Sequence, residues 1–171
     1  MNPVCVMLMG IPGSGKTRLA LNIQKKWSEK NYHILSTDDI FTELGKSHGW
    51  SYNDAFNRIP FQTVEDIFYD RYIEYVADRK NIIIDQTNVT RYARQKKLNY
   101  LTSDYIRVGI YVDTPLQEIR RRLELRFEET GKDIPEENIK NMISKFQVPT
   151  LAEFDNLFFT SKLTKLKDLF A

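Results

Sequence analysis

Cysteine is almost missing from this chain: its 171 residues contain one, Cys5. A lone thiol closes no internal disulfide, and inside the apolar run Val4–Met9 it reads as a buried side chain. Long hydrophobic runs are missing too, since none approaches the ~20 residues that span a bilayer. Met1-Asn2-Pro3 offers no basic residue, and Val4–Met9 is too short for a signal sequence. The expectation is a cytoplasmic protein with no membrane partner. Charge of one sign is also lacking. A formal net charge of +2 excludes a bulk polycation. Basic residues are grouped instead, at Arg91, Arg94, Lys96 and Lys97, at Arg120, Arg121, Arg122 and Arg126, and in the tail at Lys162, Lys165 and Lys167. Groups of this kind in a near-neutral chain point to anionic ligands at particular places, or else to solvated helix faces. Repeats, linkers and low-complexity segments are absent, and with 42% hydrophobic and 28% charged residues the composition is that of one globular domain over 1–171.

What is present is an alternation of short apolar runs with longer amphipathic ones. Strands are expected at Val4–Met9, Tyr32–Ser36, Asn81–Asp85, Ile106–Val112 and Leu157–Thr160. The unbroken β-branched run Ile82-Ile83-Ile84 suits a central strand covered on both faces. Helices are expected at Arg18–Lys30 and Asp38–Leu44, and at Phe61–Ala77, where Phe61, Val64, Ile67, Phe68, Tyr72, Tyr75 and Val76 recur at helical spacing. Further helices follow at Arg91–Leu101, at Pro115–Phe127 with Leu116, Ile119, Leu123 and Phe127 inward, at Pro135–Phe146 and at Lys162–Phe170. Gly45–Pro60 reads as a loop or broken helix. Alternating strands and helices give an α/β domain: three layers, a parallel sheet of about five strands between helices, and a small lid near 121–135.

Gly10-Ile11-Pro12-Gly13-Ser14-Gly15-Lys16-Thr17 matches the phosphate-binding pattern G-x-x-x-x-G-K-[ST] in full, between a buried strand and an amphipathic helix. Gly10, Gly13 and Gly15 let the backbone curl round a phosphate, and the N–H groups of this loop, Ser14 included, point inward. The helix that follows adds its positive end. Lys16 is expected on the β- and γ-phosphates of ATP and the Thr17 hydroxyl on Mg²⁺. No N-K-x-D guanine clamp or D-x-x-G switch accompanies the loop, and no transporter signature loop is visible, which leaves a small kinase. Kinase chemistry needs a carboxylate to orient the acceptor hydroxyl and take its proton. Asp38 follows the second strand and fits that role, with helix capping as the alternative. Asp39 is assigned to structure. Asp85 ends a hydrophobic strand and is expected to hold Mg²⁺ directly or through water, with Thr87 and Asn88 beside it facing the acceptor. Arg122 and Arg126 lie one turn apart before a polar loop, as a lid that closes on ATP; ion pairing with Glu118, Glu124 and Glu128 is the alternative.

These motifs resemble the kinase domain of phage-type polynucleotide kinases, small P-loop kinases of the AAA_33 type. GIPGSGKT at Gly10–Thr17, STDDIF at Ser36–Phe41, IIIDQTN at Ile82–Asn88, YVDTP at Tyr111–Pro115 and RRLELRFEETGKDIP at Arg121–Pro135 carry the resemblance, from Met7 to about Phe158. It implies transfer of the γ-phosphate of ATP to a 5′-hydroxyl of DNA or RNA. In it Lys16 and Thr17 are the phosphate and metal residues, Asp38 is the base and Arg126 the lid arginine, and Asp85, Thr87 and Asn88 form the D-x-T-N element. Three departures bear on the acceptor. The arginine that the family places three residues after the base is Phe41, the one before it is Thr37, and no phosphatase domain follows. A related group of phage kinases that phosphorylates 5-hydroxymethyluracil in DNA has the same small form. The remaining alternatives are a small-molecule or nucleoside kinase and a non-catalytic ATP-binding module. Trp50, Tyr52 and Phe56 could stack a base of the acceptor or fold back as core. Oligomeric state is not legible.

Overall fold

A strand buried along its whole length must be covered on both faces, and Val4–Met9 (β1) and Ile82–Asp85 (β3) are such strands. In the computed structural model, which describes residues 2–162, they lie side by side in a five-stranded sheet of order β2-β3-β1-β4-β5. The others are β2 (His33–Leu35), β4 (Ile106–Tyr111) and β5 (Asn156–Phe159), and every pairing is parallel. The architecture is the expected α/β one. Period-two alternation divides β1 between two cores. Cys5, Met7 and Met9 face one cluster with Ile82, Ile84, Phe41, Phe68 and Tyr72, while Val4, Val6 and Leu8 face Ala20, Ile23, Ile83 and Ile110. Cys5 is a core side chain whose thiol burial pushes up to about 12.

The helices are α1 (Lys16–Lys26), α2 (Thr37–Ser47), α3 (Tyr52–Arg58), α4 (Phe61–Ala77), α5 (Arg91–Leu98), α6 (Leu116–Thr130) and α7 (Glu136–Lys145). β1 and α4 have the expected bounds. The first helix does not run to Lys30. It stops at Trp27, and a 3-10 turn over Ser28–Lys30 leads to Asn31 at φ 47, which turns the chain back towards β2. The Gly45–Pro60 stretch is a broken helix: α2 continues through Gly45, and Ser51 restarts the chain with a capping box to Asp54. Along α6 only Ile119 is buried; Leu116 and Phe127 are exposed. The helix expected at Lys162–Phe170 lies outside the described residues apart from Lys162, whose ammonium sits over the Phe159 ring.

The basic group at Arg91–Lys97 is divided, with Arg91 and Lys96 exposed and Arg94 and Lys97 buried. Arg94 is fully buried in α5 and bonds both oxygens of buried Glu153, at 2.7 and 3.0 Å. Its third nitrogen donates to the carbonyls of Asn88 and Gln147. One guanidinium thereby fixes the segment after β3, which carries Gln86, Thr87 and Asn88, to the chain that enters β5. Deleting one member of a buried pair strands the other charge, at a cost of about 3–5 kcal/mol. Arg94→Ala is expected to lose that much in urea unfolding, and Arg94→Met with Glu153→Leu to recover most of it. A single-variant loss under about 1 kcal/mol, the scale of an exposed pair, refutes this account.

Candidate functional site

The first strand hands its chain to α1 through Gly10–Thr17 at the carboxyl edge of the sheet, where ligands of open parallel sheets bind. Gly13 and Gly15 have φ of 81° and 103°, a region that favours glycine. A Cβ on Gly13 would come within 3.0 Å of Leu123, and one on Gly15 within 3.0 Å of Arg122. Other segments hold the loop in shape. Gly10 N donates to Thr87 O, while the Thr114 hydroxyl and Arg122 Nη1 donate to Ser14 O at 2.7 and 2.9 Å. Gly15 starts α1 without a side-chain cap, so the first N–H groups of the helix stay available to an anion.

Lys16 is buried, and its ammonium donates to Ile11 O at 3.0 Å. Burial lowers its pKa to about 8, against the opposing pull of Asp85 and Asp38. The Thr17 hydroxyl donates to Asp85 Oδ2 at 2.7 Å. Burial raises the Asp85 carboxyl, and the Thr17 bond and the Lys16 charge offset this only in part. Ser14 Oγ is buried with no hydrogen-bond partner among the described residues. A glycine cradle, an orphaned hydroxyl and a half-satisfied ammonium fit a polyphosphate. One hydroxyl and one carboxylate suit Mg²⁺, which keeps several waters and takes its remaining oxygens from phosphate. No group of three or more His, Cys, Asp or Glu that could hold a metal occurs among the described residues.

Across a cleft of about 1270 Å³ lies Asp38, in the first turn of α2. It does not cap the helix; Ser36 does, accepting from Asp39 N. Asp39 joins the helix start through that N–H, and its carboxyl is raised by burial and by the charges of Asp85 and Asp38. Both oxygens of Asp38 are engaged: the Tyr52 hydroxyl donates to Oδ1 at 2.9 Å, and Lys132 Nζ donates to Oδ2 at 2.6 Å. Burial alone would raise this carboxyl, but Lys132, Tyr52 and Arg126 together hold it below its usual value. Burial pulls the Lys132 ammonium down as well, so the pair forms at some cost to its cation.

The lid arginines differ in kind. Arg121 and Arg122 both pair with Glu118, and Arg122 also reaches the carbonyls of Gly13 and Ser14. It braces the loop while lining the same cleft. Arg126 lines the cleft, and its guanidinium has no hydrogen bond or ion pair among the described residues. Its charge bears on Lys16, Asp38 and Asp85. Ion pairing with Glu124 or Glu128 does not occur there.

Thr87 lines the same cleft and anchors Gly10 through its carbonyl. Asn88 lines the cleft too, and its Oδ1 has no hydrogen-bond partner among the described residues. It is buried at φ 48, and its amide donates to Leu8 O at 2.7 Å, which ties the strand ends together. Trp50 is engaged away from the cleft, with His48 stacked on one side and the Arg58 guanidinium 5.0 Å from its ring. Phe41 is core, at 2% exposure, and supports Tyr52, Phe56 and Phe61. Phe56 and Phe61 line the cleft at 52% and 57% exposure, although helical spacing places Phe61 in the core. Sequence reasoning missed Lys132 and the Tyr52 hydroxyl. Their only signal was a lysine in the polar lid loop and a tyrosine after a cap, and neither names Asp38 as partner.

The family model AAA_33, described as an AAA domain, matches residues 5–149. Mouse heterogeneous nuclear ribonucleoprotein U-like protein 2 is 28% identical over 151 residues, covering 87% of this chain and 20% of that protein. The L-seryl-tRNA(Sec) kinase of Methanococcus maripaludis is 31% identical over 150 residues, covering 84% of this chain and 52% of that one. The chain thus spans about a fifth and about half of the lengths of these two relatives. Among solved structures, a chain of the Pnkp1/Rnl/Hen1 RNA repair complex superposes with a TM-score of 0.67 at 25% identity, covering 84% of this chain and 44% of that one.

Asp85→Asn keeps the size of the side chain and an oxygen for Thr17, so the fold is expected to survive. The variant should weaken ATP binding with Mg²⁺ by on the order of tenfold. It should leave binding in excess EDTA near wild type. Calorimetric titrations under the two conditions read the difference; equal losses in both would remove Asp85 from the metal site.

Proposed function

The chain belongs to the AAA_33 family, and from that premise we propose that it is a phosphotransferase moving the γ-phosphate of ATP to a hydroxyl of nucleic acid, with a polynucleotide 5′-hydroxyl as the leading acceptor. The observation that carries this reading is Asp38. An ionised carboxylate opposite the phosphate loop, with Lys16 and Arg126 charges close enough to act on it, serves proton transfer. A module that only bound nucleotide would lose affinity by placing an anion there. The relative named heterogeneous nuclear ribonucleoprotein U-like protein 2, whose name states no kinase activity, keeps that module as the second reading.

ATP bound with Mg²⁺ supplies the activated phosphoryl group and offsets charge on its oxygens. The protein supplies position and electrostatics. Lys16, the loop N–H groups and the N-terminus of α1 hold the phosphates. Thr17 and Asp85 would hold the metal. Asp38 orients the acceptor hydroxyl and takes its proton as the new P–O bond forms and the bond from the γ-phosphorus to the β–γ bridging oxygen breaks, ADP being the leaving group. Arg126, without a partner in the cleft, meets the charge that spreads over the transferring group. The acceptor side supports a nucleic-acid substrate. Phe56 and Phe61 present open rings there, each able to stack a base for roughly 1–3 kcal/mol. The L-seryl-tRNA(Sec) kinase and RNA-repair likenesses point the same way.

The test is label transfer from γ-labelled ATP to 5′-hydroxyl oligonucleotides, to duplex containing 5-hydroxymethyluracil and to a nucleoside panel. Label on the oligonucleotide ends is expected. Label on nucleosides alone ends the nucleic-acid reading, and label on the modified base moves the acceptor to the alternative phage-type activity. Asp38→Ala should abolish transfer while ATP binding persists, and Arg126→Ala should slow it by about a hundredfold or more. Undiminished transfer by Asp38→Ala would exclude it as the base.

A further inference from the structure

Lys132 lies six residues beyond Arg126, on the far side of the Gly131 turn that ends α6. The turn aims it back across the cleft. Its ammonium is 2.6 Å from Asp38 Oδ2 and 3.5 Å from the centre of the Tyr52 ring, and its side chain is 10% exposed. A second bond closes the same contact, as Asn53 Nδ2 donates to Gly131 O at 2.6 Å. The lid is therefore fastened to α3 at two adjacent points, directly over the candidate base.

This arrangement is unsuited to proton transfer as it stands. A general base must come within hydrogen-bond reach of the acceptor hydroxyl, and Lys132 occupies that approach at Oδ2 while Tyr52 holds Oδ1. A cation bonded to the carboxylate also makes it a weaker base. Lys132 nevertheless lines the same cleft as the phosphate loop. A bound triphosphate offers it several negative charges in place of one half-exposed carboxylate.

We infer that Lys132 is a positioning residue that latches Asp38 in the nucleotide-free protein and moves to the γ-phosphate when ATP binds, releasing Oδ2 to the acceptor. The inference rests on the phosphotransferase reading for its second half only. Tyr52 keeps Oδ1 oriented throughout; burial and the neighbouring Asp38 charge raise its hydroxyl, so it remains a donor. The order of events follows: nucleotide first, base uncovered second, acceptor last.

The charged and titratable groups facing Asp38 are Lys132 and Arg126 of the lid, Lys16 of α1, Tyr52 of α3, Asp39 of α2 and Asp85 of β3. Lys132 is the largest of those that lower it. Removing it raises the carboxyl towards its burial-driven value, so less base is ionised at a given acidic pH. In the nucleotide-free protein the Asp38 carboxyl must then titrate at higher pH.

The experiment compares wild type with Lys132→Met and Lys132→Arg. Calorimetry gives affinities for ADP and for a non-hydrolysable ATP analogue, NMR titration of the nucleotide-free protein follows the Asp38 carboxyl, and label transfer to a 5′-hydroxyl oligonucleotide reports activity. Lys132→Met should lose about tenfold in affinity for the triphosphate, as one charge-assisted bond implies, with less than about twofold for ADP. Its Asp38 carboxyl should titrate at higher pH before nucleotide binds. Lys132→Arg keeps the charge and should retain both properties, which separates the role from a defect in lid folding. An unchanged triphosphate preference in Lys132→Met, or an Asp38 titration that stays in place, overturns the inference. If the wild type labels no acceptor, the proposed function falls, and the nucleotide affinities alone decide the latch.

Discussion

The parallel pairing of β1 with β3 is the constraint on which the site depends. It sets Leu8 beside Asp85, so the carboxylate ending one strand arrives at the root of the loop leaving the other. The Thr17–Asp85 bond at 2.7 Å follows from that register. So do the Gly10 N–Thr87 O and Asn88–Leu8 O bonds, which lace the two strand ends together. A slip of one residue would turn Asp85 to the other face of the sheet and separate the pair. Full burial of both strands forbids the slip, because it would also exchange the two cores.

The charges of the site then share a small volume. Lys16 and Asp85 are both buried, and each is moved by burial towards its neutral form. Attraction between them resists this without cancelling it. A polyphosphate and a divalent cation supply what each lacks, an anion for Lys16 and a cation for Asp85. The site is electrostatically incomplete by itself, and its ligands complete it. Asp38 differs: the lid and α3 already satisfy it, and satisfaction is what a reactive base must give up.

The sequence made the phosphate side legible because that chemistry is local. Eight consecutive residues build the cradle, and strand burial with a terminal carboxylate marks Asp85. β1 and α4 were readable from periodicity to their ends. Elsewhere long-range contacts overrode local pattern. Arg94 sits in a basic run and reads as surface, but Glu153, 59 positions away, makes it core. Phe61 reads as core by spacing and opens onto the cleft. The Asp38–Lys132 contact joins residues 94 positions apart, and no periodicity encodes it. Asn88 reads as polar lining and does line the cleft, while its amide also ties down the backbone of β1.

The two walls of the cleft use different forces. On the nucleotide side the work falls to Lys16, Arg126 and helix-terminal N–H groups. On the acceptor side Phe41 occupies the position where the resembling kinases carry an arginine, and it is buried beneath Phe56, Tyr52 and Phe61. An arginine there would need a partner in an apolar cluster and would cost stability without one. Phenylalanine instead stiffens a surface of open rings. Such a surface holds a base by its face, and every base has one. Under the proposed function this wall favours an acceptor with a stackable ring near its hydroxyl over one held by charge along a backbone.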